Sequence, residues 1–284
     1  MRQEPSAAVV APMHAPVVQP LSALAFIDGQ GVNTPTLSAA IDAAMARVRA
    51  RASFSLFTLN LDHLVKRRAD LAFRSAYSRA DIVTADGQPV VALARSQGAQ
   101  LERTTGADLV VPLCAAAEAE QAPIYLFGAT TESLEAAADQ LRRWFPQLDI
   151  RGVEAPAMGF DPEGEAAAAA GARIAASGAR LCFVALGAPK QELFAARMTS
   201  LARATGQDGV GYVCIGAALD FISGRQQRAP RLLQRVGLEW AYRLCTNPRR
   251  LGVRYARCAL LYARLRLGGL HGPLGGGFDR PAPV

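Results

Sequence analysis

Short, fully apolar runs alternate with helical stretches along most of this 284-residue chain. Two of the clearest runs are residues 124–127 and 181–186, and a helical stretch follows each of them. Strands that are apolar along their whole length are typical of parallel sheets covered by helices on both faces. The alternation therefore predicts an α/β fold with a mostly parallel sheet and helices on both of its faces.

The same patterns place the individual elements. Strands are predicted at residues 23–27, 54–58, 82–83, 124–127, 149–153, 181–186 and 210–215. One helix is predicted between residues 58 and 82, and others at residues 37–51, 89–97, 107–119, 130–144 and 164–177. A further helix follows the segment GAPKQE, residues 187–192, and continues to about residue 204. Beyond residue 224 the strands stop, and two helices are expected at residues 228–245 and 249–267.

The stretch from Thr58 to Val91 carries the first candidate site. One apolar run ends at Thr58 and Asn60, and the next one ends before Asp86. Parallel strands joined by a crossover helix have their carboxyl ends at one edge of the sheet, where open α/β sheets bind ligands. A carboxylate at this edge can accept a proton or orient a hydroxyl. We therefore predict a catalytic group of Asp86, Thr58 and Asn60.

Each of these residues also has a plainer interpretation. Asp86 precedes a glycine, and Asp-Gly is a common turn whose Asp often caps the following helix. Thr58 could simply end its strand, and Asn60 could cap the helix after it. The residues alone leave both interpretations open.

Glycines that follow strands indicate where a ligand can approach the backbone. Such glycines are Gly128, Gly187 and Gly216, and together they suggest a nucleotide or sugar-nucleotide site. In the segment GAPKQE, Lys190 could neutralise a diphosphate, while Gln191 and Glu192 could bind sugar or ribose hydroxyls. The alternative is an ordinary solvated first turn with Glu192 near the positive end of the helix dipole.

The sequence does not indicate a metal ion or another cofactor. It has three histidines, no Asp-X-Asp, no GxGxxG and no P-loop. A diphosphate leaving group would therefore be stabilised by backbone amides and cationic side chains. The five cysteines have no CxxC spacing, and most lie in apolar runs, which predicts buried thiols in a reducing, cytosolic protein.

Positive charge is concentrated near the C-terminus. Residues 225–267 contain 11 arginines and one acid, Glu239, whereas residues 1–224 are mildly acidic. Aliphatic and aromatic residues interleave with these arginines, which suits a helix pair at an anionic membrane surface. A solvated helical face packed on the body is equally compatible with the pattern, and nucleic-acid binding is less so.

The ends of the chain differ from the rest in composition. Residues 1–20 and 268–284 are rich in Pro or Gly and are predicted to be disordered tails. No apolar run is long enough for a transmembrane helix. The predicted organisation is thus a catalytic domain at residues 21–224 followed by a helical appendage at residues 225–267.

Several segments together resemble the WecG/TagA/CpsF glycosyltransferases of bacterial surface-polysaccharide assembly. The matching segments occur in family order and are TLNLDHLVKR, ADIVTADGQPVV, RTTGADL, GAPKQE, IGAALDFISG, RAP and GLEWAYRLCTNPRRLGVRY. They span nearly all of residues 23–258. The resemblance implies a Rossmann-like core with a C-terminal helical appendage.

The resemblance also implies a reaction, which is inverting, metal-independent transfer of a sugar from a UDP-sugar to a polyprenyl-diphosphate-linked saccharide. Asp86 would be the general base and Thr58 would help to position substrate, while Gln191 and Asp220 would contact the nucleotide-sugar. We add Arg103 of RTTGADL to the substrate-binding residues. The arginines in matching appendage segments, expected near the acceptor diphosphate or membrane, are Arg228, Arg243, Arg249, Arg250 and Arg254.

The expected location is the cytoplasmic face of the inner membrane, with peripheral attachment. The donor stays open among UDP-N-acetylmannosamine, its uronic acid and UDP-glucose, and an oligomer is possible. Two rival classes are a nucleotide-binding oxidoreductase, which would need the missing GxGxxG, and a non-catalytic nucleotide- or membrane-binding Rossmann-like module.

Overall fold

The computed structural model describes residues 19–207, 209–230, 233, 239–246 and 248–268. Nearly all of the two predicted tails, residues 1–18 and 269–284, lies outside the described residues. The strands are β1 (Ala25–Ile27), β2 (Gln30–Val32), β3 (Phe54–Leu59), β4 (Ile82–Ala85), β5 (Ile124–Gly128), β6 (Ile150–Glu154), β7 (Leu181–Ala185) and β8 (Gly211–Cys214). The helices are α1 (Leu37–Arg49), α2 (Leu61–Ala69), α3 (Leu71–Ser78), α4 (Gln88–Arg95), α5 (Gly106–Ala119), α6 (Thr131–Trp144), α7 (Glu165–Ala176), α8 (Lys190–Thr205), α9 (Ala218–Ile222), α10 (Glu239–Thr246) and α11 (Pro248–Leu267).

Six strands form one parallel sheet in the order β4-β3-β8-β7-β5-β6. Strands β3, β4, β5, β7 and β8 are buried along their whole length, whereas the edge strand β6 is only half-buried or exposed. At the other edge, the backbone and side chain of Asn33 pair with Val83 of β4 and so cover the free side of that strand. The predicted α/β class with a parallel sheet is confirmed.

Helices cover both faces of the sheet. Side chains of α2, α3, α4, α7 and α8 pack in one apolar cluster, which includes Phe73, Phe127 and Phe194. Side chains of α1, α5, α6 and α9 pack in a second cluster on the opposite face, around Phe54 and Phe183. Full burial of each such side chain contributes about 1.5–3 kcal/mol, so the two clusters stabilise the sheet from both sides.

The C-terminal helix α11 lies against the body of the protein. Its buried residues are Cys258, Leu261 and Leu265, and the two leucines belong to the same cluster as the side chains of α2. Cys258, Leu261 and Leu265 are three to four residues apart, so they lie on one face of the helix. The predicted C-terminal helical appendage is therefore packed on the α/β body along this face.

The first predicted strand, residues 23–27, does not join the parallel sheet. It forms a short antiparallel hairpin, in which Ala25 pairs with Val32 and Ile27 with Gln30. Asp28 and Gly29 connect the strands with φ values of 51° and 72°. Positive φ at both central residues is typical of the type I′ turn, which Asp-Gly favours. The two strands are thus joined by a two-residue turn, and Gly31 lies in β2.

The single helix predicted between residues 58 and 82 is wrong. The segment contains α2 and α3, which are separated at Asp70. The backbone of Asp70 is extended, with φ −124° and ψ 110°, and its side chain accepts a hydrogen bond from Phe73 N at 3.0 Å. Asp70 ends α2 and caps α3, because a helix start leaves backbone donors that a short acidic side chain can satisfy.

The appendage differs from the prediction at its start. Residues 227–230 are not helical, so the helix predicted from residue 228 begins later, and residues 231, 232, 234–238 and 247 lie outside the described residues. Helix α10 covers the second half of the helix predicted at residues 228–245, and α11 matches the helix predicted at residues 249–267. Among the described helices, none combines the length and the apolar character needed to cross a membrane.

Candidate active site

The carboxyl edge of the sheet brings five positions together. In sheet order they are Asp86 after β4, Asn60 after β3, Gly216 after β8, Gly187 after β7 and Gly128 at the end of β5. Helices α2, α4 and α8 begin near this edge. Their N-terminal backbone N–H groups favour negative charge. The edge therefore combines a carboxylate with a region suited to an anionic ligand.

Asn60 and Asp86 are in direct contact. Strands β3 and β4 pair with Leu59 opposite Ala85, so the residue that follows each strand lies at the same level. Asn60 Nδ2 donates to Asp86 Oδ2 at 3.3 Å, and Asn60 Oδ1 accepts a hydrogen bond from His63 N at 3.0 Å. Asn60 therefore caps α2, as the plainer interpretation expected, and also orients the carboxylate of Asp86.

Asp86 does not cap the helix that follows it. The N-cap of α4 is Gly87, with φ 99° and no side-chain hydrogen bond. Asp86 N donates to Leu59 O at 2.8 Å, which fixes the backbone next to β3. The helix-cap interpretation of Asp86 is wrong. Within the described part of the chain, Asn60 is the hydrogen-bond donor to its carboxylate, and Oδ1 accepts none.

The surroundings of Asp86 make it a better base than an exposed aspartate. Burial raises its pKa from 3.8 to about 6. The hydrogen bond from Asn60 and the charge of Arg103 act in the opposite direction, whereas Glu239 and Asp108 raise the pKa further. A carboxylate with a pKa near 6 is mostly ionised at neutral pH yet accepts a proton more readily than a free aspartate.

Thr58 lies deeper in the sheet than the other two predicted catalytic residues. It is buried in β3, two residues before Asn60 and opposite Thr84 of β4. Its backbone carbonyl oxygen accepts a hydrogen bond from the hydroxyl of Tyr77 at 3.5 Å. Thr58 is therefore part of the floor of this edge, beneath Asn60 and Asp86.

Gln191 and Glu192 are buried, with only 3% and 0% of their surfaces exposed. Gln191 Oε1 accepts a hydrogen bond from Gly216 N at 3.1 Å, and its Nε2 donates to Glu192 Oε1 at 2.7 Å. Burial raises the pKa of Glu192 to about 7. The interpretation of these two residues as a solvated first turn is wrong, because Gln191 connects the loops after β7 and β8. Lys190 is half-buried at the first position of α8.

A buried polar cluster lies behind this loop. His63 Nδ1 is 2.6 Å from the hydroxyl oxygen of Tyr77 and 3.9 Å from Glu192 Oε1. Burial lowers the pKa of His63 to about 3 and raises that of Tyr77 well above its ordinary value. Both side chains are therefore neutral at physiological pH, and they connect α2, α3 and α8 beneath the edge.

Gly128 and Asp220, two predicted substrate-binding residues, have structural partners of their own. Gly128 has φ 110°, and a Cβ there would lie 2.6 Å from the backbone of Ala185, so close packing of β5 on β7 requires glycine. Asp220 accepts hydrogen bonds from Ser133 Oγ at 2.6 Å and from Gln226 Nε2 at 2.9 Å. A ligand of Asp220 would share the carboxylate with these donors.

A second group of charges lies where α5 begins, and we call it the Asp108 corner: Arg103, Thr105, Asp108, Arg228 and Glu239. Asp108 Oδ1 is 2.7 Å from Arg228 Nη2, and Oδ2 is 3.4 Å from Arg103 Nη1. Thr105 and Asp108 form a capping box for α5. Burial acts to raise the pKa of Asp108, but Arg228 and Arg103 lower it below its ordinary value. Two of the predicted substrate-side arginines are thus paired with one carboxylate.

The remaining predicted arginines belong to α10 and α11. Arg254 Nε lies 3.1 Å from Asp62 Oδ1 of α2, and Arg249 is exposed. The side chains of Arg243 and Arg250 lie outside the described part of the structure. The structure therefore connects Arg228 and Arg254 to the body through two different aspartates.

The described residues contain no group of three or more His, Cys, Asp or Glu side chains that could bind a metal ion. All five cysteines are free thiols. Four are buried, as their apolar neighbours predicted, and Cys245 is exposed.

Sequence reasoning missed several residues of the site, namely Asp62, His63, Lys66, Tyr77 and Asp108. Two spacings could have indicated some of them. Thr105 and Asp108 have the three-residue spacing of a capping box, and Asp62 and Lys66 have the four-residue spacing of a helical ion pair. His63 and Tyr77 meet only because α2 and α3 fold onto the same face.

Residues 26–270 match the family described as "Glycosyl transferase WecG/TagA/CpsF family". The match covers most of the chain and includes every residue discussed above for the site.

Proposed function

Because the chain belongs to the WecG/TagA/CpsF family of glycosyltransferases, we propose that it transfers a sugar from a UDP-sugar to a polyprenyl-diphosphate-linked saccharide. Family membership gives glycosyl transfer in cell-surface polysaccharide biosynthesis. The donor, the acceptor, inversion of configuration and independence from metal ions are parts of the proposal. The observation that supports it best is a half-buried Asp86 with a pKa of about 6, oriented by Asn60 at the carboxyl edge.

In the proposed reaction Asp86 is the general base. The acceptor hydroxyl oxygen attacks the anomeric carbon on the face opposite UDP, and its proton passes to the carboxylate of Asp86. The bond between the anomeric carbon and the β-phosphate oxygen breaks, and UDP leaves with that electron pair. Asn60 donates to Oδ2 and so presents Oδ1 to the acceptor, while Thr58 supports this part of the edge from below. One base is sufficient for such a displacement.

The donor is proposed to bind across the loops after β5, β7 and β8. Gly128, Lys190, Gln191 and Glu192 lie in or near these loops, and Asp220 follows in α9. The N-terminus of α8 favours the diphosphate, and Lys190 adds a positive charge there. The neutral form of Glu192, supported by its pKa of about 7, would keep negative charge away from the diphosphate.

The acceptor diphosphate is proposed to bind on the appendage side. Arg103, Arg228 and Arg254 are all paired with aspartates in the chain as described. A diphosphate would exchange with or add to these carboxylate contacts, since arginine binds both groups in the same bidentate way. Arg243, Arg249 and Arg250 are proposed to contribute further positive charge on this side.

An exposed face of α11 supports the proposed contact with a membrane. Val253, Leu260 and Leu267 are 64%, 55% and 88% exposed and seven residues apart, so they lie on one side of the helix. Arg257 and Arg264 are exposed on the same side, four residues after Val253 and Leu260. Aliphatic side chains flanked by arginines suit an anionic bilayer surface, which we propose to be the cytoplasmic face of the inner membrane.

Liposome sedimentation tests this contact. The double variant Arg257→Glu/Arg264→Glu should bind anionic vesicles at least about tenfold more weakly, because each basic residue contributes about 1 kcal/mol near such a surface. The matched control Arg95→Glu/Arg142→Glu reverses two exposed charges on the body and should bind as the wild type does. Equal binding by both double variants would contradict the membrane assignment.

A transfer assay tests the proposed activity. A panel of radiolabelled UDP-sugars, including UDP-N-acetylmannosamine, its uronic acid and UDP-glucose, is offered with polyprenyl-diphosphate-sugar acceptors. Transfer from one donor by the wild type, with an inverted product and no loss in EDTA, is the expected result. No transfer from any donor, with full binding of nucleotide or vesicles, would instead favour a non-catalytic binding module.

A further inference from the structure

Helix α2 and its N-cap contact four different parts of the protein. Asn60 contacts Asp86, and His63 contacts Tyr77. Asp62 contacts Arg254 of α11, and Lys66 contacts the loop between β7 and α8. The proposed function uses the contact between Asn60 and Asp86, and it uses Arg254 for the acceptor diphosphate. It gives no role to the pair of Asp62 and Lys66 or to the contact of Lys66 with the loop.

Asp62 is nearly buried and lies between two cations. Its Oδ1 is 3.1 Å from Arg254 Nε, and its Oδ2 is 2.7 Å from Lys66 Nζ, although only 10% of its side chain is exposed. An acidic residue in the first turn of a helix is also favoured by the helix dipole. Removal of one partner from a nearly buried ion pair is costly, since the remaining charge loses its compensation. The positions of the two cations therefore depend on the same carboxylate.

Lys66 continues this connection to the candidate donor loop. Its Nζ donates to Ala188 O at 2.9 Å. Ala188 belongs to the segment GAPKQE, two residues before Lys190 and three before Gln191. Three contacts thus run from Arg254 on the appendage through Asp62 and Lys66 to the loop that carries Gln191.

We propose that Asp62 is a positioning residue that couples the docking of α11 to the conformation of the β7–α8 loop. When α11 is docked, Arg254 shares Asp62 with Lys66, and Lys66 stays within reach of Ala188 O. When α11 detaches, Asp62 has only Lys66 as a cation, and the ammonium group moves toward Asp62 and away from the loop. The donor loop is then less ordered. The assignment of donor binding to this loop rests on the proposed function, but the coupling itself does not.

Hydrogen exchange of the full chain tests the coupling without substrate. The readout is exchange of a peptide covering residues 186–193 in the wild type, Arg254→Gln, Lys66→Met and the double variant. Each single variant should speed exchange of this peptide about five- to tenfold. The double variant should exchange at most about twofold faster than either single variant, because both substitutions break the same connection. Arg49→Gln, which removes an ion pair between α1 and Glu120 at the C-cap of α5, is the matched control and should leave the peptide unchanged.

A purely local role for the ion pair gives a different result. Unchanged exchange at residues 186–193 in Arg254→Gln, or effects of the two single changes that multiply in the double variant, would overturn the coupling. Asp62→Asn should reproduce the double variant, and Arg254→Gln keeps the test valid if Asp62→Asn does not fold, because the arginine is more exposed.

UDP binding by calorimetry separates this inference from the proposed function. If the loop binds the donor, Arg254→Gln should weaken UDP binding about as much as it speeds exchange at residues 186–193. Absence of UDP binding by the wild type would contradict the proposed donor, while the exchange data would still decide on the coupling.

Discussion

Two carboxylates at the same edge of the sheet have opposite surroundings. Asp86 has one neutral donor, Asn60, and burial raises its pKa to about 6. Asp108 is bound by Arg228 and Arg103, which lower its pKa. The segments that carry them are in contact. Thr104, four residues before Asp108, donates its backbone N–H to the carbonyl oxygen of Ala85, which directly precedes Asp86. The arginines in this corner are thus compensated by Asp108, and Asp86 keeps the basicity that proton transfer needs.

The largest effect is expected from removal of the basic carboxylate. Asp86→Asn should lower kcat about 10²- to 10⁴-fold with little change in KM, because the change removes a proton acceptor and keeps the shape of the side chain. The measurement is steady-state transfer with the preferred UDP-sugar. Asp139→Asn, which removes an exposed carboxylate from α6, is the control and should keep wild-type activity. Full turnover by Asp86→Asn would show that Asp86 is not the base.

The next largest effect is expected from removal of Asn60, the neutral hydrogen-bond donor to Asp86. The hydrogen bond from Asn60 lowers the pKa of Asp86, so Asn60→Ala should raise that pKa and move the acidic limb of the kcat/KM profile to higher pH. Activity at pH 6.5 should fall about tenfold. Thr36→Ala removes the N-cap of α1 at a similar cost of about 1 kcal/mol and does not touch the site. A shifted limb in both variants would mean that lost stability, not the contact with Asp86, is responsible.

Asp108, the carboxylate paired with two arginines, is expected to stabilise the folded protein. Asp108→Asn should lower the free energy of unfolding at pH 7 by about 1–3 kcal/mol, since it removes the charge that Arg228 and Arg103 share and weakens the capping box. A lowered folded-state pKa contributes stability above the ordinary value of 3.8, and this contribution disappears as the pH falls through the folded pKa. In urea unfolding, the difference between Asp108→Asn and the wild type should therefore be largest at pH 7 and should shrink as the pH falls below 3.8. A loss that does not change with pH would point to packing instead.

The ionised carboxylate of Asp86 is expected to destabilise the folded protein, in contrast to that of Asp108. The folded-state pKa of Asp86 is raised from 3.8 to about 6, so the free energy of unfolding of the wild type falls as the pH rises through this interval. Asp86→Asn should therefore increase the free energy of unfolding at pH 8 by ~1–2 kcal/mol and leave it nearly unchanged at pH 4. Thermal unfolding at both pH values measures this. Destabilisation at pH 8 would mean that the charge of Asp86 is compensated by groups other than Asn60.

Much of the fold follows from the sequence because strands buried on both faces are apolar throughout. The strands at residues 124–128 and 181–185 are evident for this reason. The position of β8 between β3 and β7 is not evident, because strand order depends on long-range packing. The break at Asp70 and the Asp28-Gly29 turn do have local signals, a cap and a favoured turn dipeptide, that compete with the apolar periodicity around them.

The site could be predicted in part. Parallel pairing brings Asn60 and Asp86 together once both strands are recognised. The burial of Glu192 could not be predicted, since its segment begins like any solvated helix, and only the packing of α2 and α3 removes it from water. The pairing of Arg228 with Asp108 joins residues 120 positions apart and depends on the path of the appendage.

The most direct test of the role of Asp86 is the pH dependence of a single turnover. With enzyme in excess over UDP-sugar, the rate constant of the wild type should rise about tenfold per pH unit up to about pH 6 and then stay level to pH 8. Asp86→Asn should show a low rate without this limb. A wild-type rate independent of pH between 5 and 8, or the same limb in Asp86→Asn, would contradict the assignment of the general base.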